Sequence, residues 1–258
     1  MFRQLRILLL LLVLATVAVG AWRERARATD WQGSLQVAVY PIAADDSAIT
    51  RDYIASLTDG HFEDIETWIE GEARSYGVAT LRPVDITLAR RVDNLPPAAP
   101  PTRSGIDVVR WSLALRYWAW RNDQDHRPKP QVKLYVIFHD PARVGSVPHS
   151  LGLEKGLIGV VHAYASRVQA AQNNVVIAHE LLHTLGASDK YDPASNLPLY
   201  PIGYAEPQRR PLHPQSHAEI MAGRTPLSIA EALMPESVFD TVIGAATAAE
   251  IRLTQPPP

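Results

Sequence analysis

The 258-residue chain contains no cysteine. That absence excludes disulfides, iron–sulfur clusters, thiol catalysis, cysteine-ligated zinc and a lipoprotein anchor. Any metal must therefore be held by His, Asp and Glu. An excess of one charge is also lacking: 25 basic and 27 acidic residues leave a formal net charge of −2. No strong field follows, and nucleic acid is not expected as a partner. Internal repeats are absent as well. The remainder is ordinary for a globular protein, at 47% hydrophobic and 20% charged, and the length suffices for a sizeable core. Proline is plentiful at 21 residues, so long irregular loops are expected.

The N-terminus has the pattern of an export signal or anchor. Arg3 and Arg6 precede an uncharged, apolar or small run over 7–22, and Arg23, Glu24, Arg25 and Arg27 close it. A basic segment followed by a leucine-rich one reads as a secretory signal over 1–28. The alternative is an uncleaved membrane attachment through 7–22, although sixteen residues are short against the roughly 20 that a span needs. Either reading places 29–258 outside the cytoplasm, whether periplasmic, secreted or membrane-anchored.

Apolar patterning predicts strands at 34–42, 84–89, 132–139 and 156–164, and helices at 59–76, 106–120, 173–185 and 239–253. Proline-rich loops are expected at 95–103 and over 193–214, where six prolines fall. On the helix 106–120, Trp111, Leu115 and Trp118 share one face and are expected in the core. They belong to an aromatic cluster with Tyr117 and Trp120, for which membrane-interface contact is the alternative. Strands alternating with helices, then a loop-rich remainder, indicate an α/β N-terminal part and an irregular C-terminal part, an α+β domain taken as a whole. Its N-terminal part covers about 29–187 and its C-terminal part about 188–258.

The chemistry is concentrated in His179-Glu180-Leu181-Leu182-His183-Thr184-Leu185-Gly186-Ala187-Ser188-Asp189. Two histidines four apart project from one helix face, about one turn apart, and can reach one Zn²⁺ at about 2.0–2.1 Å each. Glu180 is placed to reach a water at the metal rather than the metal itself. Asn173 or Asn174 is expected to cap the helix. Gly186 ends it with a left-handed turn, which brings Asp189 within reach as a third ligand. Chance alone yields the His-Glu-x-x-His pattern roughly 0.01–0.02 times in a chain of this composition.

This motif resembles that of the metzincin zinc proteases, in the subgroup with Asp as third ligand, similar to the snapalysin-like and immune-inhibitor-A-like peptidases. The resemblance is confined to about 179–192. It implies a mixed twisted sheet, an active-site helix and a methionine turn beneath the metal. Met221, 38 residues after His183, is the candidate for that turn. Some members carry a Tyr two residues past this methionine; here Gly223 stands there, and Tyr191 or Tyr204 is the possible oxyanion-stabilising or supporting group instead. The resemblance also implies a substrate lying along an exposed edge strand, for which 156–164 is the candidate, with His162 on it approaching the cleft. Glu206, His213, His217 and Glu219 are the alternatives for the third ligand. Asp192 is expected as a simple turn carboxylate. His61, His126, His139, His149 and His162 show no ligand spacing.

The expected function is an extracytoplasmic zinc-dependent endopeptidase acting on a peptide or protein substrate, with Glu180 as general base. The alternatives are a metal-binding interaction module, or a processing or cell-wall peptide hydrolase without general proteolytic activity.

Overall fold

The structure is a computed structural model describing residues 2–100, 105–123, 129–148, 150–153 and 157–254. Helix α1 (Phe2–Ala28) carries the apolar run. Among the described residues no helix is long and apolar enough to cross a membrane. The side chains at 8–10, 13, 14, 17, 18, 21 and 22, inside that run, lie outside the described set. The chain joins the folded body at its last turn: Ala28, Thr29 and Trp31 are buried, and the Trp31 indole donates to the Ile251 carbonyl at 2.9 Å.

The body is a three-layer α/β arrangement. Strand β1 (Leu35–Ala43) is followed by α2 (Ala48–Ser56), α3 (Glu63–Ser75), β2 (Val84–Leu88), α4 (Gly105–Arg121), β3 (Val132–His139), β4 (Leu151–Leu153), β5 (Ile158–Tyr164) and α5 (Ala170–Thr184). The sheet order is β2-β1-β3-β5-β4. The first four strands pair in parallel and β4 pairs antiparallel with β5. The mixed sheet expected from sequence is therefore present.

Strands buried on both faces read as continuous apolar runs, and β1 shows why. Val37 and Val39 pack with α2, α3 and α5 on one face, through Ile54, Ile65, Trp68, Ala178 and Leu181. Ala38, Tyr40 and Ile42 pack on the other with Leu115 and Ala119 of α4. Trp111 and Trp118 join that second core, as expected; Tyr117 and Trp120 do not and are exposed.

Three expectations need correction. First, β5 is not the sheet's edge. Leu151, Gly152 and Leu153 pair with Val160, Gly159 and Ile158, so the short β4 is the outer strand. Second, neither Asn173 nor Asn174 caps α5, which begins at Ala170. Asn173 instead clamps the helix to the sheet: its Oδ1 accepts from the Tyr164 N–H at 3.0 Å, and its Nδ2 donates to the Tyr164 carbonyl at 2.8 Å. Asn174 donates to the His61 carbonyl. Third, 239–253 is not one helix. A 3-10 turn (Val238–Asp240) with a Ser237–Asp240 capping box leads into β9 (Thr241–Val242), and only α6 (Ala245–Glu250) is helical.

The predicted helix 59–76 divides into a 3-10 turn (Asp59–Phe62) and α3. Beyond α5 the chain is largely irregular, as its prolines suggest; the elements among the described residues are β6 (Ala218–Glu219), β7 (Thr225–Pro226), β8 (Ala232–Leu233), β9, α6 and two 3-10 turns. Ile220, Met221, Val238, Ile243, Ala248 and Ile251 from this half enter the same core as α5.

Candidate metal centre

Helix α5 is held rigidly enough to present a fixed constellation. Ala178, Leu181 and Leu182 are fully buried beneath it, and Asn173 pins its first turn. Its C-terminus stops at Leu185, and Gly186 follows with φ of 105°, the left-handed turn that the sequence called for. The chain then doubles back under the helix. Ala187 offers its carbonyl to His183 Nδ1 at 2.8 Å, and Ile220 offers its carbonyl to His179 Nδ1 at 2.9 Å.

These two bonds set the tautomers. Each Nδ1–H donates to a carbonyl, so each Nε2 carries a lone pair, the usual orientation of a metal-binding imidazole. The two rings are 4.6 Å apart and nearly perpendicular. Asp189 Oδ1 lies 3.0 Å from His183 Nε2 and 3.3 Å from His179 Nε2. With neutral imidazoles three electron pairs thus converge on one point, which is repulsive unless a proton or a metal cation lies between them. Ligand atoms around one tetrahedral Zn²⁺ at about 2.0–2.1 Å lie about 3.3 Å apart, so this donor set fits such an ion.

A second carboxylate adjoins the first. Ligand atoms of His179, Glu180 and His183 lie within 4.8 Å of one another. Glu180 is buried, and its Oε2 has no hydrogen-bond partner. Burial pushes its carboxyl above the usual range, with His179 and His183 opposing. For Asp189, burial acts upward, but when the two imidazoles are protonated and no ion is bound, their hydrogen bonds and charge outweigh it and hold the carboxyl well below the usual range. Burial would depress His179, yet Asp189, Glu180 and the Ile220 carbonyl together raise it.

The other candidates fall into place around this point. Met221 is fully buried in a 3-10 turn (Ile220–Ala222) closed by Gly223 at φ 68°, and the turn supplies the carbonyl beneath His179. Tyr191 lines the cleft, and burial followed by the Asp189 and Glu180 charges raises its hydroxyl. Tyr204 points elsewhere: its hydroxyl meets His213 Nε2 at 3.1 Å and its ring packs on Tyr200.

None of the alternative third ligands converges here. Glu206 is bound by Arg209 and Ser216, His213 by Tyr204, and His217 meets Ser216 Oγ. Glu219 accepts from Ala222 N, Gly244 N and Thr247 Oγ1. It therefore ties the methionine turn to α6. Asp192 is the turn carboxylate expected, accepting from Ala194 N and Ser195.

No protein-family model matches this chain. No curated protein matches it either. The site has to be read from its own geometry.

Two features were not legible beforehand. Lys190 is buried, and its Nζ donates to the Ser188 carbonyl, Ser188 Oγ and Glu250 Oε2 at 2.7–2.8 Å. Ser188 in turn donates to Glu250, so the residues on both sides of Asp189 are fastened to α6. Replacing Lys190 with methionine strands these acceptors. It is expected to cost about 1–3 kcal/mol, read as a lowered unfolding midpoint; an unchanged midpoint would show that the clamp contributes nothing. The second feature is a pair on adjacent strands, His139 Nε2 and His162 Nδ1, 2.8 Å apart. Burial depresses both imidazoles, His162 to about 4. His162 lines the cleft, as its place on β5 suggested.

The cleft measures about 630 Å³. It runs from Ser146, Pro148 and Ser150 beside β4, past His162 and the His179–His183 pair, to Gly223, Arg224 and Met234.

Proposed function

We propose that this chain is a zinc-dependent peptide hydrolase of the metzincin kind that works outside the cytoplasm. One observation carries the reading: two imidazole Nε2 atoms and one Asp189 oxygen converge beside the buried Glu180 carboxylate, whose Oε2 has no partner, in a cleft open to substrate. His179, His183 and Asp189 would hold the ion. Three protein ligands leave a position open, as catalytic rather than structural zinc requires. When bound, the ion supplies Lewis-acid polarisation of a carbonyl and of water.

The chain's own groups do the rest. Glu180 takes the proton of the attacking water and passes it to the leaving amine. Its Oε2 has no internal hydrogen bond to break first. The Ile220 and Ala187 carbonyls hold the two imidazoles in register. An extended peptide adds to the outer edge of β4 through main-chain hydrogen bonds, which places its scissile bond over α5. Tyr191, within the cleft, is the candidate for steadying the developing oxyanion. The basic–apolar–basic N-terminus supports export or anchoring of the domain.

Cleavage of a mixed peptide library by the full chain tests this. Hydrolysis is expected with zinc, is lost on chelation and returns when zinc is restored. A folded, zinc-loaded protein that cleaves nothing would favour a metal-binding interaction module.

A further inference from the structure

Helix α4 has two apolar faces, and only one of them is used. Trp111, Leu115, Trp118 and Ala119 turn inward to the sheet. Ile106, Val109, Leu113, Tyr117 and Trp120 turn outward and are 58–71% exposed. At 100° per residue these five fall within an arc of about 80°. A contiguous exposed apolar stripe of this kind marks an interaction surface.

Its borders narrow the choice of partner. On the helix wheel, Arg110 and Arg121 flank one side of the stripe and Arg116 the other, while the helix's one acidic residue, Asp107, lies off this face. An apolar stripe rimmed by cations, with Trp and Tyr gathered at one end, has the composition of a helix lying in a bilayer interface. The cations complement anionic headgroups.

The position of α4 in the fold points the same way. Asp123, just past α4, pairs with Lys133 at 2.6 Å, beside Gln131 at the start of β3. Gln131 shares one small cavity with Leu35 and with Arg27 and Ala28, the last turn of the apolar helix α1. The Trp120 end of α4 and the exit of α1 are therefore at the same end of the sheet. Helix α5 packs on the opposite face, so a surface seated on α4 leaves its histidines toward water.

We infer that the outward face of α4, namely Ile106, Val109, Leu113, Tyr117 and Trp120 with Arg110, Arg116 and Arg121, lies in the interface of an anionic phospholipid membrane. This inference does not depend on catalysis.

The lack of native cysteine gives a clean probe. Leu113→Cys in the full chain, labelled with an environment-sensitive fluorophore, reports on this face alone. Val168→Cys, at a 95% exposed position beyond the far end of β5, serves as control. In phosphatidylcholine–phosphatidylglycerol vesicles carrying spin-labelled lipid, the Leu113 label is expected to shift to the blue and be quenched while the Val168 label is not. Changing Arg110 and Arg121 to Glu should return the Leu113 label to the control level. Both are exposed positions, unlike the half-buried Arg116, and circular dichroism of the variant checks that the fold is unchanged. A Leu113 label as water-exposed as the control overturns the inference. Equal quenching in purely neutral vesicles overturns the anionic assignment. A label that becomes shielded only with rising protein concentration, without lipid, assigns the face to a protein contact instead.

Discussion

Glu180→Ala is expected to keep its zinc and lose its hydrolytic activity. The carboxylate stands in a buried position with its Oε2 unpartnered, so its removal strands no donor at that oxygen. On the proposed assignment the ion does not need it as a ligand either, because Asp189 approaches both Nε2 atoms at 3.0 and 3.3 Å. What is lost is the group that accepts a proton from water. General-base catalysis contributes about 10²–10⁴-fold, so kcat should fall by at least that factor while zinc stoichiometry stays at the wild-type value. Metal analysis and single-peptide kinetics on the same preparation provide the check. Undiminished turnover would remove Glu180 from the mechanism. Loss of metal together with activity would make it a ligand.

The site was far more legible in the sequence than the scaffold that holds it, because the site's core is local. His179 and His183 lie about one turn apart on one helix, so their spacing alone determines that they share a face, with Glu180 beside the first of them. Gly186 is equally local: a helix end followed by a reversal demands a positive φ, and glycine meets that demand. The long apolar strands β1, β3 and β5 were visible for the same reason, since burial on both faces writes a continuous run.

What escaped depends on partners distant in sequence. Three residues cannot announce a strand, so β4 was missed and β5 was mistaken for the edge. Asn173 has a capping residue's chemistry, but the Tyr164 backbone claims it. In the 239–253 segment the alanine-rich part from Ala245 on favours helix, although Thr241, Val242 and Gly244 ahead of it are weak helix formers. Yet Glu219 reaches across to Gly244 N and Thr247, and β9 pairs with β6, so tertiary contacts confine the helix to six residues. A side chain at Gly244 would place its Cβ 2.8 Å from the Glu219 Cγ, a constraint unreadable from either residue alone. The His139–His162 contact follows from the strand pairing, in which Ile137 stands opposite His162. The Lys190–Glu250 clamp joins residues sixty positions apart.

That clamp fastens the loop that carries Asp189. Asp189→Ala is expected to lower zinc affinity by more than the roughly 10–100-fold that follows loss of a group supporting a ligand, because on the proposed assignment Asp189 supplies a ligand oxygen itself. It also removes the anion that the two imidazoles face. Titration with a competing chelator of known affinity would measure this. Lys190→Met leaves Asp189 present but frees the loop that carries it, so its zinc affinity should fall by the smaller factor. The order wild type, Lys190→Met, Asp189→Ala therefore separates positioning from ligation. If Asp189→Ala binds zinc like the wild type, the third ligand is the other carboxylate. Glu180→Ala must then be the variant that loses metal, since no other His, Asp or Glu among the described residues converges on the pair. The two alanine variants thus exchange phenotypes according to which carboxylate holds the ion, and measuring both leaves only one assignment standing.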